Sequence, residues 1–132
     1  MKRWNGWGNV QTTYPLHEPA RAYLADLFGT LTPYSDADYD SVLRSVPAAR
    51  LPANPGVDLS AEARLTHARG QSLPDWLALR SGKVSVFPDG VAFPQNEEHV
   101  RAALTYARKC GAVIIPSGGG TSDCTVCRHG RG

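Results

Sequence analysis

The residues best suited to chemistry in this chain are Ser117-Gly118-Gly119-Gly120-Thr121-Ser122, which follow Pro116 and the apolar run Ala112-Val113-Ile114-Ile115. Successive glycines can turn their N–H groups into one concavity, and such nests bind anions. Without Cβ atoms the backbone approaches a pyrophosphate closely. Thr121 and Ser122 add hydroxyl donors. A plain flexible loop has the same composition, because glycine punctuates loops in general. Two common phosphate motifs are excluded. No lysine follows the glycines, as the P-loop pattern requires. The spacing is not G-x-G-x-x-G and no helical pattern follows, which removes the Rossmann fingerprint.

A second group is Cys124-x-x-Cys127 with His129, and Cys110 further back. Thiolates and an imidazole at such spacing suit Zn²⁺, and the cysteine pair alone suits a redox dithiol. Haem attachment is excluded, since Arg128 stands where that pattern needs histidine. A structural zinc site uses four ligands, and no second pair follows. The competing reading is an unstructured tail. His67 and Arg69 read as a surface or helix-end pair. His17 and His99 fall near predicted helix starts. Glu97 and Glu98 are first-turn acids, because adjacent helical residues do not face each other. Trp4 and Trp7 read as packing residues or as anchors to a partner.

The elements that must hold these residues change character along the chain. A helix is predicted over Pro19–Phe28, with Ala20, Tyr23, Leu24, Leu27 and Phe28 on one stripe and Gly29 as its stop. A second is predicted over Asp36–Val46, capped by Ser35 and ended by Pro47. Residues 47–57 hold three prolines and a glycine and read as a linker with polyproline character. Ser60 caps a short helix through Leu65. Another short helix spans Ser72–Ser81, with Ser72 and Asp75 as a capping pair and Gly82 as its stop.

Beyond residue 83 the pattern alternates as strands do. Val84–Phe87 is a predicted strand, Pro88-Asp89-Gly90 a turn and Val91–Phe93 a second short strand. Asn96 caps a helix that begins with Glu97 and Glu98 and ends with Arg108, Lys109 and Gly111. Val113–Ile115 forms a further buried strand. Strand, helix, strand is a right-handed βαβ unit, and the glycine loop lies at the ligand-binding end of its last strand. The fold class expected is α/β, or α+β by content. The expected division is a helical extension over 1–83, the start of a domain over 84–122, and an atypical tail over 123–132.

Composition removes several function classes. Lys+Arg 14 against Asp+Glu 12 leaves a net charge of +2 with scattered basic residues, so no basic face for nucleic acid is expected. No apolar run reaches the roughly 18 residues of a membrane span. Met1–Gly8 lacks the apolar segment of a signal peptide, and three cysteines do not suggest a secreted disulfide framework. A cytoplasmic protein is the expectation.

Three spaced segments carry a resemblance. They are Arg69-Gly70-Gln71-Ser72-Leu73-Pro74-Asp75-Trp76-Leu77-Ala78-Leu79-Arg80-Ser81-Gly82, then Phe87–Pro94, then Val113–Ser122, in that order. Together they resemble the N-terminal part of FAD-linked oxidases of the vanillyl-alcohol oxidase (PCMH) type. Within that superfamily the chain resembles alkyldihydroxyacetonephosphate synthase-like flavoproteins. Arg3-Trp4-Asn5-Gly6-Trp7-Gly8 is similar to the start of bacterial members. The resemblance covers most of residues 1–122. It implies an incomplete PCMH-type FAD-binding domain that opens with the βαβ unit. It also implies that Pro116, Ser117, Gly118, Gly119, Gly120, Thr121 and Ser122 hold the FAD pyrophosphate, largely through backbone amides. Some relatives attach flavin through a histidine that aligns with Gly120, so non-covalent FAD is implied. A homodimer is expected only of a full-length parent. Relatives continue past the loop with apolar residues and a second glycine-rich segment, which Asp123–Gly132 does not match. A truncated or frame-shifted N-terminal fragment of an FAD-binding oxidoreductase, inactive alone and with no catalytic residue of its own, is the expectation. A small zinc-binding protein and an inactive product are the alternatives.

Overall fold

The structure is a computed structural model and describes residues 3–30 and 35–119. Five helices follow in order: α1 (Glu18–Phe28), α2 (Tyr39–Arg44), α3 (Ala61–Thr66), α4 (Leu73–Arg80) and α5 (Glu97–Cys110). Their ends follow local chemistry. Ser60 Oγ accepts the Ala63 N–H at 3.2 Å and starts α3. The Asp75 carboxylate accepts from both the hydroxyl and the N–H of Ser72 and starts α4. One cap differs from expectation. Asp38, not Ser35, accepts the Ser41 N–H at 2.8 Å, and α2 is shorter at both ends than Asp36–Val46. Asp36 is drawn away instead. Its carboxylate accepts from Arg80 Nε and Asn5 Nδ2, and the Ala37 N–H bonds the Arg80 carbonyl.

The buried centre lies between α2, α3 and α4. Val42, Ala63, Leu65, Ala68 and Leu79 fill it, with Leu65 only 1% exposed. Gly82 leaves α4 at φ +69°, and a Cβ there would lie 2.9 Å from Ala37 Cβ. The start of the chain folds onto this centre. Trp4 packs on Tyr39, and Trp7 meets Trp76 edge-on at 6.0 Å. Trp4 is thus a partly buried packing residue, while Trp7 keeps 61% of its surface exposed beside Trp76. α1 buries no residue.

The stretch 47–57 is more structured than a polyproline linker. Asn54 and Val57 bridge across a turn, and the Asn54 side chain accepts the Gly56 N–H. Asp58 and Val91 form a two-bond antiparallel bridge. Gly90 permits it, because a Cβ there would fall 2.6 Å from Val57 Cγ1. Arg64, Arg50 and Tyr106 add bonds to Pro88, Asp89 and Pro52. Residues on both sides of the expected division near residue 83 thus pack together.

Among the described residues, Val84–Phe87, Val91–Phe93 and Val113–Ile115 do not join in a sheet, and the βαβ unit is not closed. The reason is physical. A strand exists only in a ladder, and apart from the Asp58–Val91 bridge these segments find no backbone partner here. Apolar alternation marks the strand-forming residues but does not supply the neighbour.

Candidate functional site

α5 delivers the chain to the glycine loop. Asn96 Oδ1 accepts the His99 N–H at 2.9 Å. Glu97 and Glu98 lie at the positive end of the helix dipole, and Arg108 and Lys109 at the negative end. Gly111 then turns left-handed at φ 65°, ψ 23°, and the Ala112 N–H closes the helix on the Ala107 carbonyl. From Val113 through Gly119 no backbone N–H or carbonyl is hydrogen-bonded among the described residues.

Of the expected loop residues, Pro116, Ser117, Gly118 and Gly119 are described and all are exposed. Gly120, Thr121 and Ser122 lie outside the described residues, as do Cys124, Cys127 and His129. The fit to a phosphate can be tested on the part described. Gly118 needs neither a positive φ nor room for a neighbour, since nothing lies within 4 Å of a Cβ built there. Gly82 and Gly90 differ, because the fold itself requires them. Among the described residues the amides of Ser117, Gly118 and Gly119 make no hydrogen bond and no atom lies within 4 Å of a Cβ on Gly118. Main-chain N–H groups are the donor chemistry an anion requires there.

A cleft lies elsewhere among the described residues. About 710 Å³ opens between Val57–Asp58, Val91–Pro94 and the His99–Ala103 side of α5. His99, read from sequence only as a helix-start residue, lines it and accepts the Gln95 N–H at Nδ1, 3.3 Å. No local signal in the sequence could reveal the cleft, because its walls are about 40 residues apart. Asp58, on its rim, is held below the usual carboxylate range by the Ser60 N–H.

His67 caps the end of α3, donates from Nδ1 to the Ala63 carbonyl at 2.8 Å and stacks edge-on with Phe93 at 5.4 Å. Arg69 reaches Ser85 and Asp75. His67 stands at the end of α3, and Arg69 lies in the connection between α3 and α4. No group of three or more metal-ligating side chains occurs among the described residues.

No protein-family model matches the chain. A 60-residue segment, 46% of the chain, is 42% identical to the alkyldihydroxyacetonephosphate synthase of Dictyostelium discoideum and covers 10% of it. A solved alkyldihydroxyacetonephosphate synthase aligns over 92% of the chain and 27% of its own length, with a TM-score of 0.58 and 23% identity. The homologues are alkyldihydroxyacetonephosphate synthases. The synthase of Trypanosoma brucei brucei is 36% identical over 66 residues. That of Caenorhabditis elegans is 25% identical over 148 aligned positions, which take in 91% of the chain and 25% of that protein. The chain spans between a tenth and a quarter of the length of the synthases it matches. The family read from the three spaced segments is thus the one found, and the mixed, mostly helical fold resembles that of the synthase. No described helix is long and apolar enough to cross a membrane.

Proposed function

We propose that this chain forms part of an FAD-binding oxidoreductase resembling alkyldihydroxyacetonephosphate synthase, and that its own task is to hold the FAD pyrophosphate. The observation that carries this reading is the 42% identity to a synthase over 60 residues. The amides of Ser117–Gly119, unbonded among the described residues, support it. The amides of Ser117 through Ser122 bind the pyrophosphate oxygens, and the hydroxyls of Ser117, Thr121 and Ser122 add donors. Gly118, Gly119 and Gly120 let the main chain reach the ligand. With Gly120 where some relatives carry a flavin-bearing histidine, the cofactor is held non-covalently. When bound, FAD supplies the redox chemistry, and the protein supplies binding and orientation.

Residues 84–122 make up the start of the PCMH-type domain in this reading, with Val113–Ile115 as a sheet strand leading to the loop and 1–83 as the helical extension. The location is cytoplasmic, and homodimers belong to the full-length relatives. The reacting groups lie outside residues 1–132, and no catalytic residue is assigned to the chain.

Titration of FAD with the chain, read by flavin fluorescence, is the test. A saturable change is expected. Gly118→Val is expected to weaken it about tenfold, by closing the approach to the main chain. Its far-ultraviolet circular dichroism stays unchanged, because the site is open. Absence of a saturable change in the unsubstituted chain would sink the proposal.

A further inference from the structure

We infer that Asn5 is a site of spontaneous modification, deamidation through the Gly6 nitrogen, and that the carboxylate so formed releases residues 3–12 from the helical centre. The inference is independent of the flavin reading above. Asn5 stands directly before Gly6, so the two groups that must meet are neighbours in the chain. The nucleophile is the Gly6 main-chain nitrogen. Its N–H makes no hydrogen bond among the described residues. Residues 4–8 form bends rather than a helix or strand, so no ladder fixes their backbone. Nothing lies within 4 Å of a Cβ built on Gly6, and glycine's own lack of one leaves the nitrogen unhindered. Asn5 itself is 8% exposed. Burial does not bar a step whose attacking atom belongs to the next residue.

The step balances without a redox partner. The Gly6 nitrogen gives its proton to solvent base and bonds Asn5 Cγ. The Cγ–Nδ2 bond breaks, and the amide group takes a proton from water and leaves as ammonia. Water then opens the cyclic imide at either carbonyl, giving aspartate or isoaspartate. What the new carboxylate meets is set by the fold. Asn5 Nδ2 donates to Asp36 Oδ2 at 3.1 Å. A charged oxygen in its place faces another carboxylate, and like charges at such a distance repel. Arg80 Nε, 2.6 Å from Asp36 Oδ1, offsets one of the two charges. Arg3 closes the segment on itself, from its main-chain N–H to the Gly8 carbonyl and from its side chain to the Asn9 and Thr12 carbonyls. Residues 3–12 therefore come away as a unit, parting Trp4 from Tyr39 and Trp7 from Trp76.

The test holds the folded chain in mildly alkaline buffer and follows peptide masses with time. Asn5 should convert about tenfold or more faster than Asn9, which lies in the same segment but precedes the branched Val10. Gly6→Ala, which the open space accommodates, should slow the conversion about tenfold. The release is read by amide exchange in Asn5→Asp. Amides of residues 3–12 should exchange about tenfold faster than in the unsubstituted chain, while those of α3 keep their rate. Asn5→Asp combined with Asp36→Asn returns donor and acceptor in exchanged places, and its segment should exchange more slowly than that of Asn5→Asp alone. Asn5 left intact while Asn9 converts overturns the modification site, as does a rate indifferent to Gly6→Ala. Exchange of residues 3–12 unmoved by Asn5→Asp overturns the release, and so does a rise shared by α3 or one that the paired substitution fails to reverse.

Discussion

Arg64 is 2% exposed, and its guanidinium joins two loops that lie 41 positions apart in the chain. Nε donates to the Pro88 carbonyl at 2.7 Å and Nη1 to the Pro47 carbonyl at 2.6 Å. Removing the donor leaves two part-buried carbonyls without this partner, and a loss of that kind costs up to about 1–3 kcal/mol each. Arg64→Ala is expected to destabilise the chain by about 3 kcal/mol in urea unfolding, and Arg64→Lys by nearly as much, since an ammonium cannot span both carbonyls in the guanidinium geometry. A shift under about 1 kcal/mol would refute the bridging role. Arg50 presents the contrast. It grips Asp89 with two bonds, at 2.9 and 2.7 Å, yet its side chain is 84% exposed, and exposed pairs contribute little.

The same carboxylates set the response to acid. The Arg50 hydrogen bonds hold Asp89 below the usual carboxylate range, with the nearby Arg64 charge adding to them. The Ser60 N–H does the same for Asp58. A folded value below the unfolded one means that the folded state binds fewer protons. Their stabilisation is complete above the unfolded carboxylate range near 4 and is lost as pH falls through the lower folded values. The urea midpoint is therefore expected to hold between pH 7 and 5 and to drop from about pH 4 downward. Asp89→Asn should make that drop shallower. A midpoint that rises on acidification would contradict both assignments.

At the scale of elements, glycines separate backbone demand from packing demand. Gly82 and Gly111 both end helices with positive φ, at +69° and +65°. Only Gly82 is crowded, by Ala37 and Val42, while nothing lies near a Cβ on Gly111. A left-handed alanine costs roughly 1–2 kcal/mol, and forcing a methyl into a packed site adds about 1–3 kcal/mol. Gly111→Ala should thus cost about 1 kcal/mol and Gly82→Ala clearly more, measured as paired unfolding midpoints. Equal costs would mean that α4 and α2 are not packed through Gly82. These helix ends were legible because their signals are local: Ser60, Asn96, Gly29, Gly82 and Gly111 act within one turn of where they stand. The cap of α2 falls on Asp38 rather than Ser35 because the Asp38 carboxylate lies within reach of the Ser41 N–H. The strands were not legible to the same degree. Val84–Phe87 and Val113–Ile115 carry the right residues, but pairing depends on a partner that no local pattern names. The loop divides similarly. Ser117, Gly118 and Gly119 are exposed and make no hydrogen bond among the described residues, and Gly120, Thr121 and Ser122 lie outside them.

Across the whole molecule the burial is uneven, and stability must follow it. The apolar centre is held by α2, α3 and α4, while Tyr23, Leu27 and Phe28 of α1 stand exposed, Phe28 by 74%. α1 has the apolar stripe that its sequence predicts and no other helix packed against it among the described residues. An isolated helix of 11 residues is marginal in water, so α1 depends on a neighbour that the described residues do not supply. Amide exchange followed by mass spectrometry should therefore grade the chain in three levels. α3 and the Leu79 end of α4 should open only with global unfolding, because their amides surround the most buried side chains. α5, anchored by Tyr106 on Pro52 and by the buried Ala107, should fall between. α1 and Val113–Gly119 should exchange fastest. Protection of α1 equal to that of α3 would show its stripe covered in solution. If that protection weakened on dilution, a second copy would be the cover. Protection independent of concentration would place the cover within the chain.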